Sequence, residues 1–472
     1  MSHKPIRFGT SGWRGLIADD FTFARVRAAV AAIADYVRKK NPRRPRLVVG
    51  YDTRFLSDEF ARDTVKVLAE NGVGSFLCTE PTPTPTIAFE ILRRKADGGI
   101  NFTASHNPAE YNGLKFSTPD GAPALPEVTK QIERLAAKHL RAKATRAKKA
   151  KKEAGCEEID PRPTYLDALV EKIDVEVIQR ARLKVAYDPL YGTGAGVLDR
   201  FLADRGIEVH TVHGYRDALF GGHPPEPADE ILEGLRELIR EHDAHVGLST
   251  DGDADRFGML DRDGKFISPN HIISLLLDYL LETRREWPRG VARSVATTHL
   301  VDAVARHHDV PVHETPVGFK YIGELIKQDK ITIGGEESAG LSVYGHVPEK
   351  DGVLACLLVA EMVARRGASL GEQLQALFAK VGAYYPVRVN LHLDEAKRDR
   401  VAQRIKKDPK SFDGRRVAGV NRTDGLKLLF DDDAWVLMRL SGTEPVVRCY
   451  CEAHSEAETA ALVAAAQRFV AE

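Results

Sequence analysis

The chain has no cysteine framework. Its 472 residues include 5 cysteines (Cys78, Cys156, Cys356, Cys449, Cys451), and no two are spaced as CxxC. That spacing argues against a disulfide scaffold and fits a reducing cytoplasm. A surplus charge is also missing. Lys+Arg and Asp+Glu are both 68, so the net charge is zero. Bulk electrostatics therefore gives no reason to expect a nucleic-acid partner, although a local basic cleft can still take a small anion. No apolar run approaches the ~18 residues that cross a bilayer, and "ISLLLDYLL" stops short of it. The opening "MSHKPIRFG" has no apolar stretch like that of a signal peptide. These absences leave the expectation of a cytoplasmic protein, monomer or dimer, with small-molecule partners and neither nucleic acid nor membrane. What is present is ordinary for a globular chain: 43% hydrophobic and 29% charged residues. That is enough for sizeable cores in roughly three domains by length.

Strand and helix signals alternate from the start. Val26, Val30, Ile33 and Val37 share one helical face. "RLVVGYD" reads as a buried strand, and Ser57 as the cap of a helix that Gly72 ends. "VGSFLC" is a second strand, and "PTPTPT" leads into a helix near Ile87 to Arg94. "GGINFTAS" is the next strand, with Ser105 just past its end in a rigid, exposed turn. The alternation predicts mostly parallel sheets. "RLVVGYDTRF" near Val48 is echoed by "RLKVAYDPLYGTG" near Val185 and faintly by "ARSVATTHLVD" near Val295, as three copies of one α/β unit would be. "RAKATRAKKAKKEAG" reads as a solvated junction. The tail differs. Tyr385 to Leu393, Trp435 to Leu440 and "VVRCYCEA" look like strands, and Ser455 with Glu458 forms a capping box before a last helix.

Chemistry concentrates in a few loops. "TASHNP" puts Ser105 and His106 after a strand, where a capping turn is the plain alternative. "DGDADRFG" carries Asp251, Asp253 and Asp255 at alternate positions. That spacing lets one loop wrap a hard cation, and a solvated acidic turn is the alternative. It is not an EF-hand, because Arg256 stands where the glycine belongs and Arg262 where the last glutamate belongs. "GGEESAG" offers Glu336, Glu337 and Ser338 to hydroxyls such as a sugar's, or is a plain surface turn. "RLSGTEPVVR" offers Arg439, Ser441, Thr443 and the backbone around Gly442 as an anion nest, or is a hairpin turn.

From "GTSGWRG" to "RLSGTEP", the order and spacing of these loops resemble the α-D-phosphohexomutases, which include phosphoglucomutase and phosphomannomutase. The resemblance implies three similar α/β domains with mixed, mostly parallel sheets and a C-terminal α+β domain around a central cleft. The expected boundaries are 1–155, 156–260, 261–375 and 376–472. It implies a phosphoserine at Ser105 and Mg²⁺ on Asp251, Asp253 and Asp255 with a phosphoserine oxygen. Arg256 and Arg14 would add positive charge. Lys115 matches the family's general base, with His106 either an alternative base or a shaper of the loop. A lysine base requires a lowered pKa. Glu336 and Ser338 would hold sugar hydroxyls, and Arg439, Ser441, Gly442, Thr443 and Arg448 the non-reacting phosphate. Phe319-Lys320 and "GEES" are nearer to phosphoglucomutase members, though the Ala339-Gly340 ending departs from their commonest form. The implied reaction interconverts α-D-glucose 1-phosphate and glucose 6-phosphate through glucose 1,6-bisphosphate. Phosphomannomutase, bifunctional and phosphoglucosamine mutase readings are the alternatives. A serine phosphatase of the alkaline type would spread ligands for two zinc ions along the chain, whereas here the carboxylates sit in one loop.

Overall fold

A computed structural model describes residues 4–9, 11–141, 154–440 and 446–471, without the side chains of 395 and 396. The basic junction at 142–153 and the residues Ser441, Gly442 and Thr443 lie outside the described residues. The chain forms two compact units, Met1–Ser268 with Ala339–Leu370, and Pro269–Ser338 with Gly371–Glu472.

The first unit holds two sheets. Strands β1 (Trp13–Leu16), β2 (Arg46–Tyr51), β3 (Gly74–Cys78), β4 (Gly99–Phe102), β5 (Tyr111–Ser117) and β6 (Cys156–Ile159) run in the order β1-β5-β4-β2-β3-β6. The four strands from β4 to β6 in that order pair in parallel, and β5 and β1 are added antiparallel. Cys156–Ile159 thus completes the first sheet, although the sequence placed it beyond the junction. Strands β7 (Lys184–Asp188), β8 (Glu208–Thr211), β9 (Val246–Thr250), β10 (Phe257–Asp261) and β11 (Phe266–Ile267) form a mixed sheet in the order β11-β10-β9-β7-β8.

The helices follow their sequence signals, with one exception. Helix Phe23–Lys40 is capped by the Thr22 side chain and buries Val26, Val30, Ile33 and Val37. Helix Thr84–Arg94 begins inside the "PTPTPT" run with a proline in its first turn, where no N–H is needed. The exception is Ser57. It is the first residue of helix Ser57–Glu70, and its Oγ donates to Asp52 at 2.7 Å instead of capping. The cap position is Leu56, at φ 62°.

The second unit contains β12 (Val291–Ser294), β13 (Val312–Thr315) and β14 (Ile333–Glu336), with β12 parallel to both neighbours. Strand β15 (Gly340–Val343) falls in the first unit. The C-terminal domain adds β16 (Tyr385–His392), a ribbon of β17 (Ser411–Phe412) and β18 (Arg415–Arg416), then β19 (Gly419–Asn421), β20 (Leu426–Leu429), β21 (Trp435–Leu440) and β22 (Val446–Ala453). Its main sheet is antiparallel, in the order β16-β22-β21-β20-β19. Ser455 Oγ accepts the Glu458 N–H at 3.2 Å at the start of helix Glu456–Ala471, half of the expected box.

A buried polar joint ties this sheet to the third α/β domain. The fully buried Lys427 donates to Val295 O at 2.8 Å and lies 3.9 Å from the Trp435 ring centroid. Burial, with Arg293 nearby, pulls its ammonium down to about 7. Glu452 Oε1 accepts from Trp435 Nε1 at 2.7 Å and from the His299 N–H at 2.8 Å. Among the described residues no helix is long and apolar enough to cross a membrane.

Strand β5 is locked where it passes the serine loop. A methyl group on Gly113 would lie 2.4 Å from Thr103 O and 2.9 Å from Trp13 O. Both obstacles are backbone, so Gly113→Ala should lower the midpoint of thermal unfolding, with a loss of roughly 1–3 kcal/mol. An unchanged midpoint would show that β5 has slack here.

Candidate active site

In the first unit the serine loop and the acidic loop come together. Ser105 is 1% exposed, which corrects the exposed turn expected from sequence. Its φ is 53°, a left-handed conformation that costs a non-glycine residue on the order of 1–3 kcal/mol. Its N–H donates to Thr103 Oγ1 at 2.8 Å, and its Oγ donates to Asp251 Oδ2 at 2.9 Å. The two loops can approach because Gly252 has no side chain: a Cβ there would lie 2.9 Å from Ser105 O.

Asp251, Asp253 and Asp255 are all fully buried. Lys115 Nζ, on β5, donates to Asp253 Oδ2 at 2.6 Å and to Asp255 Oδ2 at 2.8 Å. Lys350 Nζ reaches Asp255 Oδ2 at 2.8 Å, and Thr84 Oγ1 reaches Asp253 Oδ2 at 2.5 Å. Asp251 Oδ1 accepts the N–H groups of Asp255 and Arg256, each at 3.0 Å. Asp253 Oδ1 and Asp255 Oδ1 are buried and accept no hydrogen bond. One ligand oxygen from each carboxylate lies within 4.8 Å of the others. Oxygens left unmatched in a buried acidic triad fit a hard cation such as Mg²⁺.

The electrostatics follow from this packing. Burial pushes the Asp251 carboxyl well up, and Asp253 and Asp255 add to the effect. Burial also opposes charge on Asp255, but Lys115, Lys350 and Arg256 outweigh it and hold that carboxyl well below the usual range. Asp253 is lowered too, with Lys115 outweighing burial and the Asp255 charge. Lys115 shows the converse. Burial alone would lower it, but Asp253 and Asp255 raise it. This direction is the opposite of the lowering that a lysine base requires. His106 Nδ1 lies 3.4 Å from Ser105 Oγ, and burial with Arg256 and Arg14 holds its ring well below the ordinary histidine value. Arg14 Nη1 donates to Asn107 Oδ1 at 2.6 Å, and Arg256 Nη1 to Glu226 Oε1 at 3.2 Å. Burial and Arg256 bring the Arg14 guanidinium down to about 10.

Sequence reasoning missed several neighbours. Lys350 and Glu349 line a small cavity together with Lys115, Asp255, Ser11 and Gly12. Burial pushes the Glu349 carboxyl up to about 7. The "PEKDG" stretch carries no familiar signal, and Lys350 is 95 residues from its partner. Thr84 lies in the "PTPTPT" run, whose only signal in the sequence is that of a helix start.

The second unit assembles the other predicted residues. Glu336, at the end of β14, is 4% exposed, and its Oε1 accepts the Gly318 N–H at 2.7 Å. Gly318 has φ 129°, which only glycine adopts readily. Glu337 and Ser338 are partly exposed. Val317 N–H donates to Asp424 Oδ2 at 3.2 Å, and Asp424 pairs with Arg439 Nε at 2.8 Å, so the 317–318 loop and Arg439 share one carboxylate. Arg439 and Arg448 face each other across β21 and β22. Phe319 is 3% exposed and packs with Ala292, Ile322, Ile326 and Ile331. It packs in the core of this domain, and of the pair only Lys320 is partly exposed.

Removing one cation tests the balance at the triad. Lys115→Met leaves buried carboxylates undercompensated, a change that costs about 3–5 kcal/mol in a buried pair. In EDTA the variant's melting midpoint should fall below wild type, and millimolar Mg²⁺ should raise it by more than it raises wild type. Equal Mg²⁺ responses would contradict a cation site on this triad.

Comparison with known proteins agrees with this architecture. Four phosphoglucomutase/phosphomannomutase signatures match in order: α/β/α domain I at 5–143, domain II at 163–264, domain III at 268–381 and the C-terminal domain at 389–468. The chain is 32% identical to the phosphoglucomutase/phosphomannomutase of Thermococcus kodakarensis, with 95% of each chain covered. It is 29% identical to a protein of Methanothermobacter thermautotrophicus provisionally named phosphoglucosamine mutase, over 96% of this chain and 95% of that one. A crystal structure from Thermus thermophilus, provisionally described as a phosphomannomutase, superimposes with a TM-score of 0.86 at 34% identity over the whole of both chains. The chain belongs to the phosphoglucomutase/phosphomannomutase family of phosphohexomutases, isomerases that interconvert sugar phosphates.

Proposed function

We propose that the protein is a phosphoglucomutase that interconverts α-D-glucose 1-phosphate and glucose 6-phosphate. Ser105 carries the phosphoryl group, and glucose 1,6-bisphosphate is the intermediate. The carrying observation is the buried Ser105 hydroxyl, 2.9 Å from Asp251, beside two carboxylate oxygens that accept no hydrogen bond. Asp251, Asp253 and Asp255 would hold Mg²⁺, which when bound supplies positive charge to the transferring phosphoryl group.

In each transfer the phosphorus–Oγ bond of phosphoserine breaks and a bond to a sugar hydroxyl oxygen forms. The hydroxyl proton passes to a base, and Ser105 leaves as an alkoxide that must be neutralised. Two side chains of the serine domain are assigned this proton traffic. Lys115 is held charged by two carboxylates, which suits a donor to the leaving Ser105 oxygen. The His106 ring, kept neutral by burial and two arginines, suits an acceptor. Arg14 and Arg256 add charge near the reacting group. Arg439 and Arg448 are like charges opposed across two strands, a pairing that gains from an anion placed between them, and they are assigned the non-reacting phosphate. Closure of an active site would keep water from the phosphoserine.

Ser105→Ala tests the mechanism. Intact-mass measurement of wild type should show a fraction heavier by one phosphate that the variant lacks, and the variant's activity should drop by orders of magnitude. Near-full activity in Ser105→Ala would remove the proposal. The sugar is tested with the 1-phosphates of glucose, mannose, glucosamine and galactose, assayed with Mg²⁺ and catalytic glucose 1,6-bisphosphate. Glu336 and Ser338 are assigned the 3- and 4-hydroxyls, whose configurations glucose and mannose share, whereas galactose differs at the 4-hydroxyl. A site left with unpaired polar groups discriminates by on the order of 10⁴-fold, so galactose 1-phosphate should be strongly rejected. Glucose should be preferred over mannose by only about 10-fold. Glu336→Ala should weaken both, and selective loss of glucose activity would refute the assigned role of this loop.

A further inference from the structure

One buried arginine grips the serine loop from beneath. Arg54 follows β2 and has a fully buried side chain. Its Nη2 donates to Ser105 O at 2.5 Å and to Asn107 O at 2.6 Å. Its Nη1 donates to Pro108 O at 2.8 Å and to Tyr111 O at 3.1 Å. Its Nε donates to Asp52 Oδ2 at 3.1 Å. A guanidinium has five N–H donors in a fixed fork, and here each has an acceptor. The carbonyls converge from a single loop onto one guanidinium, an arrangement their dipoles would resist without a cation at its centre.

The arginine is itself fixed. Asp52 Oδ1 accepts the Arg54 N–H at 3.0 Å and Ser57 Oγ at 2.7 Å, and Ser57 Oγ accepts from Asn112 at 3.0 Å. From the second sheet's domain, Arg216 donates to Thr53 O at 3.1 Å and to Arg54 O at 3.3 Å, and the Phe220 ring lies 4.9 Å from the guanidinium carbon. This explains how Ser105 keeps a left-handed backbone although it is not glycine: its carbonyl is held by Arg54 on one side and abuts Gly252 on the other.

We propose that Arg54 is the positioning residue of the phosphoryl carrier: it clamps the carbonyls of residues 105, 107, 108 and 111 so that Ser105 Oγ stays aimed at Asp251 in every transfer. The clamp rests on Ser105 being the carrier. Lysine keeps the charge but has three donors, so Arg54→Lys leaves carbonyls unmatched and lets the loop shift. Misplacement of about 1 Å costs on the order of 10²-fold in rate. Arg54→Lys should therefore lose about that much in kcat, with KM for the hexose phosphate unchanged. Its single-turnover phosphorylation of Ser105 by glucose 1,6-bisphosphate should slow in parallel.

A folded Arg54→Lys protein with wild-type kcat, or one whose KM rises while kcat holds, overturns the proposal. If that variant does not fold, Arg216→Ala decides, since it loosens the Thr53–Arg54 turn from the surface. A reduced kcat at unchanged KM and melting midpoint supports the clamp, and an unchanged kcat overturns it. Ser105→Ala run alongside separates the two readings. Activity there removes the carrier itself, whereas an inactive Ser105→Ala with unimpaired clamp variants removes only the clamp.

Discussion

The first unit is organised around a buried pairing of lysines with aspartates. Lys115 comes from β5 and Lys350 from the turn before helix Gly352–Arg366, and both converge on Asp255. Burying carboxylates this close together is prohibitive without cations, because desolvation and mutual repulsion act in the same direction. The lysines offset both. They also fix where chain segments distant in sequence must meet. Gly352 N–H donates to Ala254 O at 3.0 Å, and any side chain on Gly352 would strike Arg256 O, so that helix is seated directly against the acidic loop. This helix lies in Ala339–Leu370, which belongs to the first unit.

The same pairing bears on chemistry. Lys115 occupies the Oδ2 atoms of Asp253 and Asp255 and Lys350 that of Asp255, and the Oδ1 atoms of both carboxylates are left without hydrogen bonds. The lysines thus favour the ionised forms of Asp253 and Asp255 without using all the ligand capacity of those carboxylates. Asp253 and Asp255 favour the charged form of Lys115 in this arrangement. A role as acceptor would require its aspartate partners to be engaged elsewhere.

Much of the fold was legible because its signals are local. The apolar face of Val26, Val30, Ile33 and Val37, the strand "RLVVGYD" and the first-turn proline of helix Thr84–Arg94 each read out within a few residues. The acidic loop was legible for the same reason, since its three carboxylates alternate within one turn. What sequence could not supply was partnership at a distance. Asp52-x-Arg54 looks like any polar turn after a strand, and only the fold brings it under a loop 51 residues on. Ser57 misled because a nearer acceptor, Asp52, took its hydroxyl from the helix end. Phe319 was ambiguous because an aromatic after a glycine suits either a core or a ligand, and helix Phe319–Lys327 packs it against Ala292, Ile322, Ile326 and Ile331.

The two units divide the work by the kind of constraint each imposes. In the first, strain and buried charge hold one hydroxyl in one direction: a left-handed Ser105, a glycine that permits contact and carboxylates locked by lysines. In the second, the residues proposed for recognition are linked through shared acceptors. Glu336 holds the Gly318 N–H, Asp424 holds the Val317 N–H, and the same Asp424 pairs with Arg439. A ligand that draws Arg439 toward an anion therefore pulls on the carboxylate that also positions the 317–318 turn. The contacts of Glu336 and Arg439 are thus linked within one unit, while Ser105 is held by Thr103, Asp251 and Arg54 in the other.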